Sequence, residues 1–207
     1  MRGKFLVFEG MDGCGKTTQA QLLVAWLESK GRSPLHIREP GTTPAGERFR
    51  NLLLDPTREP WDPATEALLF FASRRELLLQ EIQPALEAGK DVICERFTPS
   101  TLAYQGTSPE LAEFVLALDQ IVVPEELQPD HVLILDLEPE EALRRATSRS
   151  EADSFESRGL SFQVQVQKGY HRYAKERPQN TSLLAVSRCD PEEVALLIKT
   201  AVEVLFA

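Results

Sequence analysis

The sequence predicts an α/β fold in which a five-stranded parallel sheet carries helices on both faces. Short apolar runs alternate with helix-period segments along the chain, and no internal repeat or low-complexity linker interrupts them. Nearly continuous apolar strands are typical of parallel sheets, because both faces of such sheets are covered. The length of 207 residues and the hydrophobic content of 42% indicate a single domain spanning residues 1–207. We therefore expect the ligand crevice beyond the carboxyl ends of the strands.

The predicted strands comprise, in chain order, residues 5–9, 35–38, 92–95, 132–137 and 183–186. Helical spacing follows the first strand over residues 18–27, and a long helix is predicted over residues 63–88, where Gly89 is the stop signal. Pro139 and Pro191 are each followed by two glutamates and mark two further helix starts. Proline is tolerated in the first helical turn, and acids there meet the positive end of the helix dipole.

A phosphate-binding loop is predicted between the first strand and the first helix. Residues 10–17 read Gly-Met-Asp-Gly-Cys-Gly-Lys-Thr, which matches the pattern G-x-x-x-x-G-K-[ST]. In such a loop backbone N–H groups point at phosphate oxygens, the lysine bridges the outer phosphates, and the hydroxyl is a ligand for Mg²⁺. The predicted nucleotide-binding residues are Gly10, Asp12, Gly13, Cys14, Gly15, Lys16, Thr17 and Thr18.

An acid and an arginine stand together at the carboxyl ends of two predicted strands, as Arg38-Glu39 and as Glu95-Arg96. P-loop enzymes hold Mg²⁺ with the loop hydroxyl and a carboxylate from another strand, so Thr17 and Glu95 are the predicted metal ligands. Arginine offers a planar fork that binds phosphate bidentately. A carboxylate for the metal beside an arginine for an acceptor phosphate suits transfer between two phosphorylated molecules.

Composition excludes several other classes of protein. The net charge of −9 argues against a nucleic-acid partner, although a few local arginines still permit small anionic substrates. Cys14, Cys94 and Cys189 are scattered and indicate neither a disulfide framework nor a zinc site, which favours the reducing cytoplasm. The apolar run near the N-terminus is too short for a signal peptide or a membrane span, so we expect no membrane association.

Five segments resemble, in order and spacing, the motifs of the thymidylate kinase family. They are residues 9–18, 38–43, 69–74, 95–97 and 100–106. The phosphate-binding loop alone indicates only nucleotide binding, whereas Arg-Glu-Pro-Gly at 38–41 and Ala-Tyr-Gln-Gly at 103–106 are far more particular. The resemblance implies a P-loop nucleoside-monophosphate kinase fold with a mobile lid. It also implies transfer of the γ-phosphoryl of ATP to dTMP, giving dTDP and ADP, with Mg²⁺, in a homodimer.

The resemblance further implies an acceptor site. Phe70 matches the aromatic residue that stacks on thymine, and Arg74, one helical turn along, matches the side chain that donates to the base carbonyl. Arg96 matches the arginine that holds the acceptor phosphate, while Tyr104 and Gln105 match residues beside the sugar and base. The predicted substrate-binding residues are Asp12, Arg38, Glu39, Pro40, Phe70, Arg74, Arg96, Ser100, Thr101, Tyr104 and Gln105.

Residues 144–158 match the mobile lid of the family. A helper arginine sits in these kinases either in the phosphate-binding loop, one residue after the aspartate, or in the lid. Gly13 occupies that loop position here, so the resemblance assigns the role to the lid, with Arg149 as first candidate and Arg145 as second. The predicted catalytic residues are Lys16, Glu95, Arg96 and Arg149.

Three residues depart from the family pattern. Glu95 stands where the family usually has aspartate, and its extra methylene leaves open whether it touches Mg²⁺ directly or through water. Thr42 replaces a usual second glycine and restricts the backbone there. Ser154 stands where the lid commonly has an arginine, and the sequence leaves open whether Arg158 substitutes for it.

Two other functions fit parts of the sequence. Deoxynucleoside kinases also pair a phosphate-binding loop with Glu-Arg at a strand end, where the glutamate acts as a base toward a neutral hydroxyl. The Arg-Glu-Pro-Gly segment and Arg74 favour a monophosphate acceptor instead. A nucleotide-dependent switch or partner-binding ATPase is the second alternative. The lack of an Asn-Lys-x-Asp guanine-reading motif and the predicted acceptor pocket weigh against it.

Overall fold

The structure, a computed structural model, describes residues 2–148 and 154–206. Its sheet consists of β1 (Phe5–Glu9), β2 (Leu35–Arg38), β3 (Val92–Glu95), β4 (His131–Asp136) and β5 (Thr181–Ala185). All pairings are parallel, and the spatial order is β2-β3-β1-β4-β5. Every residue of β1 is buried, as expected for the central strand of a sheet covered on both faces. The predicted five-stranded parallel sheet is therefore confirmed.

Nine α-helices surround this sheet in the part of the chain that the structure describes. They are α1 (Lys16–Ser29), α2 (Pro44–Leu54), α3 (Pro63–Leu77), α4 (Gln83–Glu87), α5 (Thr98–Tyr104), α6 (Pro109–Val122), α7 (Pro139–Thr147), α8 (Gly159–Glu176) and α9 (Pro191–Val202). Short 3₁₀ turns occupy Glu125–Leu127, Glu156–Arg158 and Glu203–Phe206. Within residues 2–148 and 154–206, no helix combines the length and the hydrophobicity that a membrane span requires.

The helix starts that the sequence predicts are confirmed. Pro63, Pro139 and Pro191 each occupy the first position of their helix, where no intrahelical donor is needed. The side chain of Asp190 accepts from the backbone of Glu193, whose side chain reaches back to the N–H of Asp190 at 2.9 Å. This capping box fixes the start of α9.

The predicted helix over residues 63–88 differs in one respect. A π-helical turn, Leu78–Ile82, separates α3 from α4. Pro84 lies just beyond this turn and has no N–H to donate to Gln80, so the regular ladder of backbone hydrogen bonds is interrupted there. Gly89, with φ of 76°, ends the segment and donates to the carbonyl of Leu86 at 3.0 Å.

The last two strands begin earlier than the apolar pattern predicts. Strand β4 starts at His131, and β5 starts at Thr181, two residues before its apolar run. The ring of His131 lies 2.9 Å from the hydroxyl of Ser182, so polar residues continue the pairing of the two strands. A criterion based on apolar residues alone misses such positions.

Candidate active site

Two cavities lie beyond the carboxyl ends of β1, β2 and β3. The first, which we call the loop cleft, encloses about 620 Å³ and is lined by Asp12, Gly13, Gly15, Lys16, Thr17, Thr18, Arg38, Glu39, Arg50, Glu95 and Arg96. The second, the deep pocket, encloses about 530 Å³ and is lined by Asp12, Glu39, Pro40, Arg50, Leu54, Phe70, Arg74, Arg96, Phe97, Ser100, Thr101, Tyr104, Gln105 and Phe155. Asp12, Glu39, Arg50 and Arg96 line both cavities, which therefore share a wall.

The phosphate-binding loop takes its shape from glycine. Gly13 and Gly15 have φ values of 83° and 99°, which residues with side chains rarely adopt. A Cβ on Gly13 would also lie 2.4 Å from the carbonyl oxygen of Ala142, because the loop packs closely against α7. The amine of Lys16 donates to the carbonyls of Gly10 at 3.0 Å and Met11 at 2.9 Å. The lysine is thus held inside the curl of the loop.

Glu95 joins the phosphate-binding loop to the end of β3. Its Oε2 accepts a hydrogen bond from the Thr17 hydroxyl at 2.6 Å, and its Oε1 lies 2.9 Å from His36 Nε2. Burial raises the pKa of Glu95, but the hydrogen bonds from His36 and Thr17 outweigh burial and leave that pKa lowered. The Thr17 hydroxyl and the Glu95 carboxylate, which the sequence predicts as metal ligands, are therefore adjacent.

Arg96 has an unusual backbone conformation for a residue with a side chain. Its φ is 69°, in the left-handed region. Its guanidinium donates to Asp12 Oδ1 at 2.6 Å and to the Ser100 hydroxyl at 3.0 Å, and it lies 5.1 Å from the centre of the Tyr104 ring. These contacts place the guanidinium in the wall between the two cavities.

Glu9 supports this conformation from beneath. It is fully buried and accepts hydrogen bonds from the backbone of Phe97 at 2.8 Å and Ser100 at 3.1 Å. Its other oxygen lies 2.5 Å from the Ser100 hydroxyl and 3.0 Å from the hydroxyl of Tyr170. Burial is the main cause that raises the pKa of Glu9. The carboxyl group takes the place of a side-chain cap at the start of α5, directly after Arg96.

The end of the deep pocket contains a buried ion pair. Arg74 donates through Nε to Glu39 Oε2 at 2.9 Å, and Nη2 lies 2.7 Å from the same oxygen and 3.1 Å from the Thr101 hydroxyl. The guanidinium lies between the rings of Phe71 and Phe97, 4.4 and 4.7 Å from their centres. Burial raises the pKa of Glu39 to about 7, although the charge of Arg74 opposes the rise.

Aromatic rings form the other walls of the deep pocket. Phe70 and Tyr104 lie 5.9 and 6.0 Å, centre to centre, from Phe155. Gln105 donates through Nε2 to Glu66 Oε2 at 3.1 Å. The pocket therefore combines flat apolar surfaces with a few fixed polar groups, as small-molecule sites do.

The structure places most of the predicted site residues in the walls of these cavities, and four residues differ from the prediction. Gly10 and Cys14 lie behind the loop cleft, where the Cys14 sulfur is buried 3.9 Å from Lys16 Nζ. Arg38 is half exposed, pairs with Glu47 at 3.3 Å and lines the loop cleft but not the deep pocket. Arg149, the first candidate for the lid cation, lies outside the described residues.

The second lid candidate and the three departures take defined positions. The Arg145 guanidinium pairs with Glu141, and its Cβ lies beside the phosphate-binding loop, 3.0 Å from where a Cβ on Gly13 would be. Thr42 adopts a glycine-like φ of 70°. The Ser154 hydroxyl donates to the carbonyl of Leu53 at 2.7 Å. Arg158 is bound to Glu66 in this structure.

Sequence reasoning missed four residues that the structure places at or beside the site. Arg50 lines both cavities and donates to the carbonyl of Pro40 at 3.0 Å, and Phe155 lines the deep pocket. Tyr170 contacts Glu9, and His36 contacts Glu95, and neither Tyr170 nor His36 lines either cavity. Only His36 has a signal in the sequence, because it lies two positions before Arg38 in a strand and therefore points to the same face.

A family model and curated relatives that match this chain all carry the same family description. The family model for thymidylate kinase matches residues 8–196. The thymidylate kinase of Jannaschia sp. (strain CCS1) is 42% identical over 200 residues, which is 96% of this chain and 95% of that protein. The thymidylate kinase of Pseudomonas entomophila (strain L48) is 43% identical over 184 residues, 89% of this chain and 88% of that protein.

A solved structure agrees with the sequence comparisons. The crystal structure of thymidylate kinase from Ehrlichia chaffeensis matches with a TM-score of 0.79 and 29% sequence identity. The match covers 98% of this chain and 100% of the other.

Proposed function

Because the chain belongs to the thymidylate kinase family and phosphorylates dTMP, we propose that it uses ATP and Mg²⁺, with ATP in the loop cleft and dTMP in the deep pocket. The γ-phosphoryl group passes from ATP to a phosphate oxygen of dTMP, which leaves ADP and dTDP. The observation that carries this proposal is the shared wall, since Asp12, Arg50 and Arg96 line both cavities. Two phosphate groups that approach from opposite sides meet the same cations there.

The donor side is built for phosphate and a hard cation. The left-handed glycines leave backbone N–H groups at the start of α1, where the helix dipole favours negative charge. Lys16 exchanges its carbonyl partners for phosphate oxygens. The adjacent oxygens of Thr17 and Glu95 fit Mg²⁺, which prefers oxygen ligands and keeps several waters. When bound, Mg²⁺ neutralises charge on the phosphates.

The acceptor side recognises both ends of dTMP. Phe70 offers a flat ring to thymine, and Arg74, held in place by Glu39, donates to a base carbonyl. Arg96 binds the dTMP phosphate, and Tyr104 and Asp12 lie beside the sugar. Pro40, Ser100, Thr101 and Gln105 complete the lining of the pocket, and Arg38 adds positive charge to the loop cleft.

Catalysis depends on positioning and on charge. A phosphate acceptor carries its attacking oxygen as an anion, so no general base is required. Both oxygens of Glu95 are bound, by Thr17 and His36, which supports the ligand role over that of a base toward a neutral hydroxyl. Lys16, Arg96 and Arg149 of the lid stabilise the negative charge that spreads over the transferring group.

We also propose that the chain acts as one domain of residues 1–207 whose lid, residues 144–158, closes during turnover, and that it forms a homodimer in the cytoplasm. Exposed Leu52, Leu68 and Ile121 lie on α2, α3 and α6, which pack side by side and offer an apolar face to a second copy. Sedimentation equilibrium tests the dimer, and a monomer at micromolar concentration would contradict it.

An assay of ADP release tests the proposed function. The protein is incubated with ATP and Mg²⁺ and with dTMP, thymidine, dUMP, UMP or no acceptor. We expect rapid ADP release with dTMP, and none above background with thymidine or without an acceptor. The reaction should stop when EDTA removes Mg²⁺. Equal rates with thymidine and dTMP would indicate a deoxynucleoside kinase, and acceptor-independent release would indicate an ATPase.

A further inference from the structure

Glu66, at the start of α3, is a fully buried acid that lines neither cavity. Its Oε1 accepts from Arg58 Nη2 at 2.7 Å and from Arg158 Nη2, and its Oε2 accepts from Gln105 Nε2 at 3.1 Å. Desolvating a carboxylate is costly unless charges and hydrogen bonds compensate it. Two guanidinium groups supply that compensation, and the remaining partner is a residue of the deep pocket.

This arrangement determines which end of the Gln105 amide is bound. An ionised carboxylate only accepts hydrogen bonds, so the NH₂ group of Gln105 must face Glu66. The carbonyl end, Oε1, is left without a partner among the described residues, although Gln105 is 1% exposed. Buried polar atoms of this kind are normally paired. Since Gln105 lines the deep pocket, a ligand there is the available partner.

Arg74, which lines the same pocket, has an unpaired hydrogen-bond donor. Its Nε and Nη2 are occupied by Glu39 and Thr101, whereas Nη1 is buried and has no partner in the described part of the chain. Two residues that line the pocket therefore carry one unpaired acceptor and one unpaired donor. A pyrimidine edge with a carbonyl beside an N–H, as in thymine, satisfies both. Cytosine carries an amino group beside a bare ring nitrogen and satisfies neither.

We propose that Glu66 is a positioning residue that fixes the amide of Gln105 and thereby selects thymine over cytosine. The inference rests on the proposed binding of dTMP in the deep pocket. Rejection depends on the fixed orientation, because a freely rotating amide would offer its NH₂ group to the ring nitrogen of cytosine. Arg158 and Arg58 act one step further away, since both donate to the other oxygen of Glu66, Oε1.

The variant Glu66→Gln tests this role, because a glutamine at position 66 can either donate to or accept from Gln105. The affinities for dTMP and dCMP are measured by calorimetry without ATP, and kcat/KM is measured for both acceptors. In the parent we expect dTMP to be preferred by at least about a thousandfold, since a site built for hydrogen bonds strongly rejects mismatched ligands. In Glu66→Gln we expect that preference to fall at least about tenfold.

Two controls separate this role from a structural one. Arg158→Gln keeps the carboxylate of Glu66 and should lower thermal stability while changing the dTMP to dCMP preference less than twofold. In a Gln105→Leu background, Glu66→Gln should no longer change the preference. If Glu66→Gln alone does not fold, the double variant Glu66→Gln, Arg158→Met, which removes one unbalanced guanidinium, takes its place.

The outcomes are distinct. A folded Glu66→Gln protein with an unchanged preference would overturn the inference, as would an equal loss of preference in Arg158→Gln. Failure of the parent protein to bind or phosphorylate dTMP would instead overturn the proposed function.

Discussion

Arg96 Nη2 lies 2.6 Å from Asp12 Oδ1, so the arginine that follows β3 and the acid of the phosphate-binding loop form an ion pair in the wall between the two cavities. Burial raises the pKa of Asp12, but the charges of Arg96 and Lys16 outweigh burial and leave that pKa well below its usual range. Asp12 is therefore ionised at neutral pH. The pair holds the guanidinium of Arg96 in place before either substrate binds.

Lys16→Ala and Thr17→Ala should abolish phosphoryl transfer and leave the fold intact. We propose that both side chains act on phosphate or Mg²⁺, and their partners in the structure are carbonyls of the loop and Glu95 rather than the apolar core. ADP release measures the activity, and circular dichroism with thermal unfolding measures the fold. Near-normal turnover by Lys16→Ala would exclude the loop cleft as the site of ATP.

Arg74→Ala should weaken dTMP binding by about 1.5–3 kcal/mol, the worth of a hydrogen bond to a charged group, and leave ATP affinity nearly unchanged. The substitution also leaves Glu39 buried without its cation, so thermal stability should fall. The double variant Arg74→Ala, Glu39→Gln serves as control, because it removes the unpaired charge. An equal loss of affinity for ATP would place Arg74 outside the acceptor site.

Glu39 should make stability depend on pH around neutrality. Burial raises its pKa from 4.5 to about 7, so the folded protein binds a proton that the unfolded chain has already released. The stabilising contribution is complete below about pH 4.5 and is lost as the pH rises through 7. The difference corresponds to roughly 3 kcal/mol. Between pH 5 and pH 8 the Tm of the parent should fall relative to that of Glu39→Gln, and parallel curves would contradict the raised pKa.

Arg149→Ala should lower kcat at least about a hundredfold, because arginines that stabilise a transferring phosphoryl group are worth roughly 10³–10⁵ in rate and Arg145 gives partial cover. An interaction made only in the transition state lowers kcat and kcat/KM together. Affinity for dTMP without turnover should change little. Arg145→Ala is the matched comparison, and a kcat of Arg149→Ala within a few fold of the parent would transfer the role to Arg145.

The sequence predicts the sheet well because its signal is local. Strands β1, β2 and β3 match their apolar runs residue for residue, whereas β5 begins at Thr181, which only the neighbouring strand reveals. The start of the long helix at Pro63 is also local. The π-helical turn after Leu77 has no such local signal, because it depends on how the segment accommodates Pro84.

The residues of the site also differ in how far the sequence predicts them. Phe70 and Arg74 are found through helical spacing and family motifs, and both line the deep pocket. The pairing of Glu66 with Arg158 joins positions 92 residues apart. Charged residues at such separations have many alternative partners in the sequence, and the fold alone decides between them. For the same reason the departure at Ser154 does not by itself reveal that Arg158 is directed to Glu66.

The assignment of dTMP to the deep pocket, beside Arg96, is tested most directly by calorimetry with Arg96→Ala. The affinities of this variant for dTMP, and separately for a non-hydrolysable ATP analogue with Mg²⁺, are compared with those of the parent. Because we propose that Arg96 binds the acceptor phosphate in the ground state, dTMP affinity should fall at least about tenfold, as expected for a charged hydrogen bond, while analogue affinity changes less than about twofold. Unchanged dTMP affinity with a weakened ATP analogue would contradict the account.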